Sequence, residues 1–129
     1  MLKLLFVSNR IESISEFVSA LKENDKNELL YTESGETALK LIKDSAIDLV
    51  ITDEVAGDMS GLDFARRLIS SSPMTNCAAM SSLPEKEFHE ASEGLGLMNH
   101  LPANPERSDA EDVLKNLRRI KGLESGQDQ

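Results

Sequence analysis

The sequence predicts one α/β domain, with five parallel strands alternating with five helices on both faces of a single sheet. Three observations lead there. Short apolar runs alternate along the chain with longer segments whose apolar residues recur three and four apart. The runs at Lys3–Val7 and Ile47–Thr52 are nearly unbroken, as in strands covered on both faces. Polar clusters rich in Asn, Ser, Gly and Pro separate the segments at short intervals, with no internal repeat and no low-complexity stretch.

Lys3 to Val7 is the first strand, and the stripe Ile11, Ile14, Phe17, Val18, Leu21 makes the first helix. Asn24-Asp25-Lys26-Asn27 reads as a turn, followed by a short second strand from Glu28 to Thr32. Ser34 is placed to cap the second helix, which turns Ala38, Leu39 and Ile42 to the core. Ile47 to Thr52 is the third strand, and a polar loop carries the chain from Asp53 to Gly61. The third helix starts near Leu62, directs Ala65, Leu68 and Ile69 inward, and stops at Ser70-Ser71-Ser72-Pro73. Small residues, Cys77 to Met80, form the fourth strand. Pro84 suits the opening of a fourth helix marked by Phe88, Ala91 and Leu95 and ended by Gly94 and Gly96. Leu97 to Leu101 is the fifth strand. The last helix runs from about Asp109, with Ala110, Val113, Leu114, Leu117 and Ile120 on one stripe. Gly122 and the polar segment 124–129 read as a tail or the start of a linker.

At 129 residues, with 40% hydrophobic and 29% charged residues, the chain is of a size and composition that buries a core. No apolar run approaches the roughly 20 residues that span a bilayer, and Met1–Val7 is too short for a secretory leader. Cys77 stands alone, which rules out an intrachain disulfide and a cysteine-based metal cluster. Together these features point to the cytoplasm. The net charge of −9, from 23 acidic and 14 basic residues, repels nucleic-acid phosphates and anionic membranes, so neither is expected as a partner. Four Phe, one Tyr and no Trp leave no stacking platform for single strands.

Open parallel sheets place their function beyond the carboxyl ends of the strands. That rule selects the loops after Val7, Thr52, Met80 and Leu101. They offer Ser8-Asn9-Arg10, Asp53 with Glu54, Ser81-Ser82, and Pro102-Ala103-Asn104-Pro105. Glu54 reads as a solvated neighbour of Asp53, because adjacent strand residues point to opposite faces. There is no nucleophile elbow, Walker loop or dinucleotide glycine motif after the first strand, so hydrolase, nucleotide and NAD chemistry are poor fits.

These landmarks resemble the receiver domain of bacterial two-component response regulators, over residues 1–121. Asp53 ends the third strand, where receivers carry their phosphate-accepting aspartate, and Gly61 follows it eight residues later, as their loop requires. Ser81 matches the hydroxyl residue that ends the fourth strand. Gly96 precedes the fifth strand and His100 matches the switch position. The resemblance implies a flavodoxin-like, doubly wound (βα)5 domain of CheY-like type. It also implies a role in signalling rather than catalysis, with at most self-phosphorylation of Asp53 from a phosphodonor. Its partners would be a histidine kinase or phosphotransfer protein, together with an output module or a second copy docking on the surface from Glu85 to Lys121. On that surface Asn99, His100, Leu101 and the outer side of the last helix are the candidates.

The departures lie in the site itself. Receivers hold Mg²⁺ with two acids after the first strand, and here those positions read Ser8 and Asn9. They carry a lysine at the end of the fifth strand where this chain has Ala103, and Lys115, the nearest lysine, lies well inside the last helix. The oxygens left for a metal are the Asp53 carboxylate, the Asn9 amide and the Val55 backbone carbonyl, a weaker set for Mg²⁺. Phosphoryl transfer to a carboxylate depends on positioning and on cancelling charge at the phosphoryl oxygens. Three roles for Asp53 are therefore open: phosphoacceptor, with Ser81 touching the phosphate; aspartate of a protein-interaction module that works without phosphorylation; or cap of the loop into the third helix. The alternative class is a flavodoxin-like small-molecule-binding domain or enzyme, which the sparse aromatics and the Ser8-Asn9-Arg10 loop oppose.

Overall fold

The computed structural model of the chain describes residues 2–22 and 27–122; most of the turn 24–27 and the tail beyond Gly122 lie outside them. Strand β1 is Lys3–Val7, β2 Glu28–Thr32, β3 Leu49–Thr52, β4 Asn76–Ser81 and β5 Asn99–Pro102. Helix α1 is Ser15–Lys22, α2 Gly35–Asp44, α3 Gly61–Ser71, α4 Glu85–Ala91 and α5 Arg107–Lys121. All strand pairs are parallel, in the order β2-β1-β3-β4-β5. This is the doubly wound arrangement the alternation of periods predicts, with its topological switch between β1 and β3.

Side-chain alternation along the strands divides the core in two. Leu4 and Phe6 of β1 and Ile51 of β3 pack with Phe17 of α1 and Val113 and Leu117 of α5. Leu5, Val7 and Val50 pack on the opposite face with Ala38 and Ile42 of α2 and Phe64 and Leu68 of α3. The register pairs Val7 with Thr52 and Thr52 with Ala79, so β1 and β3 end at one level and β4 runs two residues further to Ser81, opposite Pro102 of β5. Ser34 and Ser60 cap α2 and α3 by accepting from the amides of Thr37 and Asp63.

Several local expectations change. The first helix opens as a 3-10 helix, Ile11–Ile14, before α1. Arg10 is held inward outside helical geometry, and the Ser13 amide reaches back to its carbonyl. Phe64, Ala65 and Leu68 fill the inner stripe of α3, so Ile69 falls outside it and is exposed. Helix α4 stops at Ala91, three residues before Gly94, because the Ser92 amide and hydroxyl both donate to the Phe88 carbonyl. Leu95 still reaches the core, but from the turn that follows. Strand β5 starts at Asn99 rather than Leu97, and α5 starts at Arg107, two residues early, on a capping box of Glu106 and Asp109. Ile120 lies a turn beyond Leu117 and is exposed.

At the amino ends of the strands Asp48 ties three elements together. It accepts from the Lys3 amide at 2.8 Å and pairs with Lys121 Nζ at 2.7 Å, while its carbonyl accepts from Asn76 Nδ2. Burial raises the Asp48 carboxyl, but the hydrogen bonds from Lys121 and Lys3 and the Lys121 charge outweigh it and hold the group below 3.8. A folded-state value lowered in this way contributes stability above the unfolded value, and that contribution is lost as pH falls through the folded one. Asp48→Asn is therefore expected to cost about 1 kcal/mol at neutral pH. The gap to wild type, followed by urea unfolding from pH 7 downward, should close below 3.8.

Candidate functional site

Asp53 stands one residue past β3, its amide donating to the Val7 carbonyl at 2.9 Å. It is buried, 4% exposed, so its carboxylate needs partners. Four donors supply them. Oδ2 accepts from Ser8 Oγ at 2.8 Å and Arg10 Nε at 2.6 Å; Oδ1 accepts from Arg10 Nη2 at 3.1 Å and the Glu54 amide at 2.7 Å. The Arg10 guanidinium thus meets the carboxylate fork to fork, the strongest geometry for such a pair. Its Nη2 also donates to the Ala103 carbonyl, and Nη1 to Asn104 Oδ1 at 3.0 Å. One side chain joins the loops after β1, β3 and β5.

The sequence makes this possible at Ser8 and Arg10. Ser8 is buried, and its hydroxyl accepts from the Arg10 amide at 3.1 Å while donating to Asp53. The turn this creates aims the Arg10 side chain back across the sheet end. Gly61 sets the other wall. Its amide donates to the Glu54 carbonyl, and any Cβ there would collide with the Asp53 carbonyl oxygen. Gly57, at φ +69°, brings the loop equally close to the Glu33 carbonyl, a backbone conformation that favours glycine.

The other candidates are placed as follows. Asn9 is exposed, and Val55 is exposed in a bridge with Ser60 across the loop. Ser81 ends β4 and is buried, its hydroxyl accepting from the Leu83 amide. Glu54 is not a free solvated neighbour: it turns toward β4 and accepts from the Ser82 amide at 2.6 Å and hydroxyl at 2.8 Å. A cavity of about 170 Å³ between these loops is lined by Glu54, Gly61, Ser81 and Leu83, and Asp53 is not part of its wall. His100 is exposed on β5 and stacks on Phe88 of α4, with ring centroids 3.8 Å apart and planes 9° apart. Leu101 faces the opposite way and is buried, so it cannot belong to a docking surface; Asn99, half-buried, accepts from Asn116 of α5. Burial pushes the Cys77 thiol up to about 12, which makes it an inert core group.

With Arg10 in place these residues do not fit Mg²⁺. The ion takes oxygen ligands in near-octahedral geometry, and here the carboxylate oxygens already hold four donors, while Asn9 is exposed. The cation beside Asp53 is Arg10. Sequence reasoning passed over it, although it is the only basic residue in the four loops at the carboxyl ends of the strands. A buried aspartate that lacks its usual metal and lysine needs a cation from somewhere.

Solved structures share this architecture. The chemotaxis response regulator CheY4 of Vibrio cholerae superposes with a TM-score of 0.78 at 18% identity, covering 91% of this chain and 98% of that one. The fold is that of a response-regulator receiver domain. A receiver domain from Clostridium thermocellum matches with a TM-score of 0.76 at 21% identity, over 95% of this chain and 99% of that one. A streptococcal redox sensor, described as evolved from two-component response regulators, matches with a TM-score of 0.78 at 13% identity; 98% of this chain corresponds to 55% of that one. No family model and no curated protein matches the sequence. Among the described residues no helix of this receiver fold is long and apolar enough to cross a membrane.

Proposed function

We propose that the chain is a receiver-fold interaction module of two-component signalling that works without phosphorylation of Asp53. One observation carries the reading: the bidentate Arg10–Asp53 pair, closed by Ser8 and the Glu54 amide, occupies both carboxylate oxygens. In-line attack on a phosphoryl group needs one of those oxygens free and a cation positioned on the phosphoryl oxygens. Here the cation is spent on the nucleophile itself.

The module acts by binding protein partners. The surface from Glu85 to Lys121 is its docking face, with His100 and the outer residues Glu111, Lys115 and Arg119 of α5 exposed there. The expected experiment is intact-mass analysis after incubation with acetyl phosphate and Mg²⁺. The wild-type mass should not change. A metal-dependent phosphoryl adduct that disappears in Asp53→Asn would overturn the reading in favour of a phospho-aspartate switch with Ser81 and His100 as switch residues.

A further inference from the structure

We infer that the oxygen cluster around Asp53 is a cation site whose permanent occupant is the tethered guanidinium of Arg10, so that a divalent cation enters only when that side chain is removed. The inference shares the Arg10–Asp53 pair with the reading above but concerns what the pocket holds, not what Asp53 attacks.

Five oxygens face this one place. The two carboxylate oxygens of Asp53, the Ala103 carbonyl and Asn104 Oδ1 all accept from Arg10, and Ser8 Oγ sits against Asp53 Oδ2. Four of the five accept directly from the guanidinium, and Ser8 Oγ, which accepts from the Arg10 backbone amide, joins them through Asp53 Oδ2, so the set draws on three separate loops, after β1, β3 and β5. An all-oxygen set containing one carboxylate is chemistry that suits a hard divalent ion. What excludes the ion is the occupant. Arg10 is attached to the chain two residues from Ser8, so it competes at the effective concentration of a tethered ligand, on the order of millimolar or higher. Its planar fork matches the carboxylate in a way that a hydrated ion does not reproduce without displacing it. The guanidinium also does what a small ion cannot do alone, spanning from Asp53 to the β5–α5 loop at Asn104.

The consequence is a receiver fold that supplies its own cation. Its loops are held together at any metal concentration, and chelators leave it unchanged.

The test uses the whole chain labelled with ¹⁵N and titrated with Mn²⁺, whose unpaired electrons broaden amide signals near a bound ion. The amides to watch are Ser8, Glu54 and Ala103. Wild type is expected to keep these signals sharp. Arg10→Ala is expected to lose them at Mn²⁺ concentrations at least tenfold lower than wild type requires, with recovery on adding a chelator or excess Mg²⁺. Arg10→Gln, which keeps a hydrogen-bonding side chain without the charge, should behave in the same sense and covers the case in which Arg10→Ala does not fold. Adding Asp53→Asn to either variant should restore sharp signals. Equal broadening in wild type and the Arg10 variants would overturn the inference, as would a folded Arg10 variant whose three signals do not respond. A phosphoryl adduct on wild type without Mn²⁺ broadening would overturn the phosphorylation-independent reading and leave this one standing.

Discussion

Arg10→Ala is expected to destabilise the domain by roughly 2–4 kcal/mol, the scale for removing one partner of a buried ion pair. The two partners are unequal. The Arg10 side chain is 29% exposed and that of Asp53 only 6%. Removing Arg10 leaves a buried carboxylate with Ser8 and one backbone amide as its remaining donors. Removing the charge at Asp53 leaves a guanidinium that can swing out and rehydrate. Asp53→Asn is therefore expected to cost about 1 kcal/mol, less than Arg10→Ala, because the freed group returns to water. Urea unfolding of the two single variants reads the asymmetry directly, and an Arg10→Ala variant as stable as wild type would show that the pair contributes nothing.

Gly61→Ala is expected to cost roughly 2–3 kcal/mol, because its methyl group would meet the Asp53 carbonyl oxygen, with Thr52 Oγ1 at 3.3 Å behind it. A backbone atom cannot rotate away as a side chain can. Gly61 is also the first residue of α3, where alanine would otherwise gain helix propensity worth up to about 1 kcal/mol. A net loss therefore isolates the collision. Since the Gly61 amide holds the Glu54 carbonyl, the displacement should reach the Glu54–Ser82 link as well, visible as shifted Ser82 and Leu83 amide signals. Stability within 0.5 kcal/mol of wild type, the ordinary range of a surface substitution, would contradict the close approach.

The architecture was legible because burial on two faces leaves a plain mark in sequence: Lys3–Val7 and Leu49–Thr52 are apolar without alternation, and the helices between them are striped. Errors gathered at the ends of elements, at the starts of β3 and β5 and at helix ends where local hydrogen bonds decide. Ser92 ends α4 before the glycines do, and the Glu106–Asp109 box starts α5 early. Ile69 and Ile120 show that periodicity alone does not say how wide an apolar stripe the neighbouring elements cover. The site was half legible. Strand order placed Asp53, Ser8, Ala103 and Ser81 at the sheet mouth, since each follows or ends a strand. It did not give Arg10 a role, because its long side chain reaches residues 43 and 94 positions away, and no spacing rule encodes that reach. Charge accounting would have found it: a buried carboxylate without its usual cations calls for the one basic residue in the surrounding loops.

The account rests on Arg10 and Asp53 acting as one unit, and a double-mutant cycle measures that unit most directly. Unfolding free energies of wild type, Arg10→Ala, Asp53→Asn and the double variant should give a coupling of roughly 1.5–3 kcal/mol, with the double variant more stable than Arg10→Ala alone. Additive effects, with a coupling indistinguishable from zero, would mean that Arg10 does not hold Asp53 and that the pocket is open.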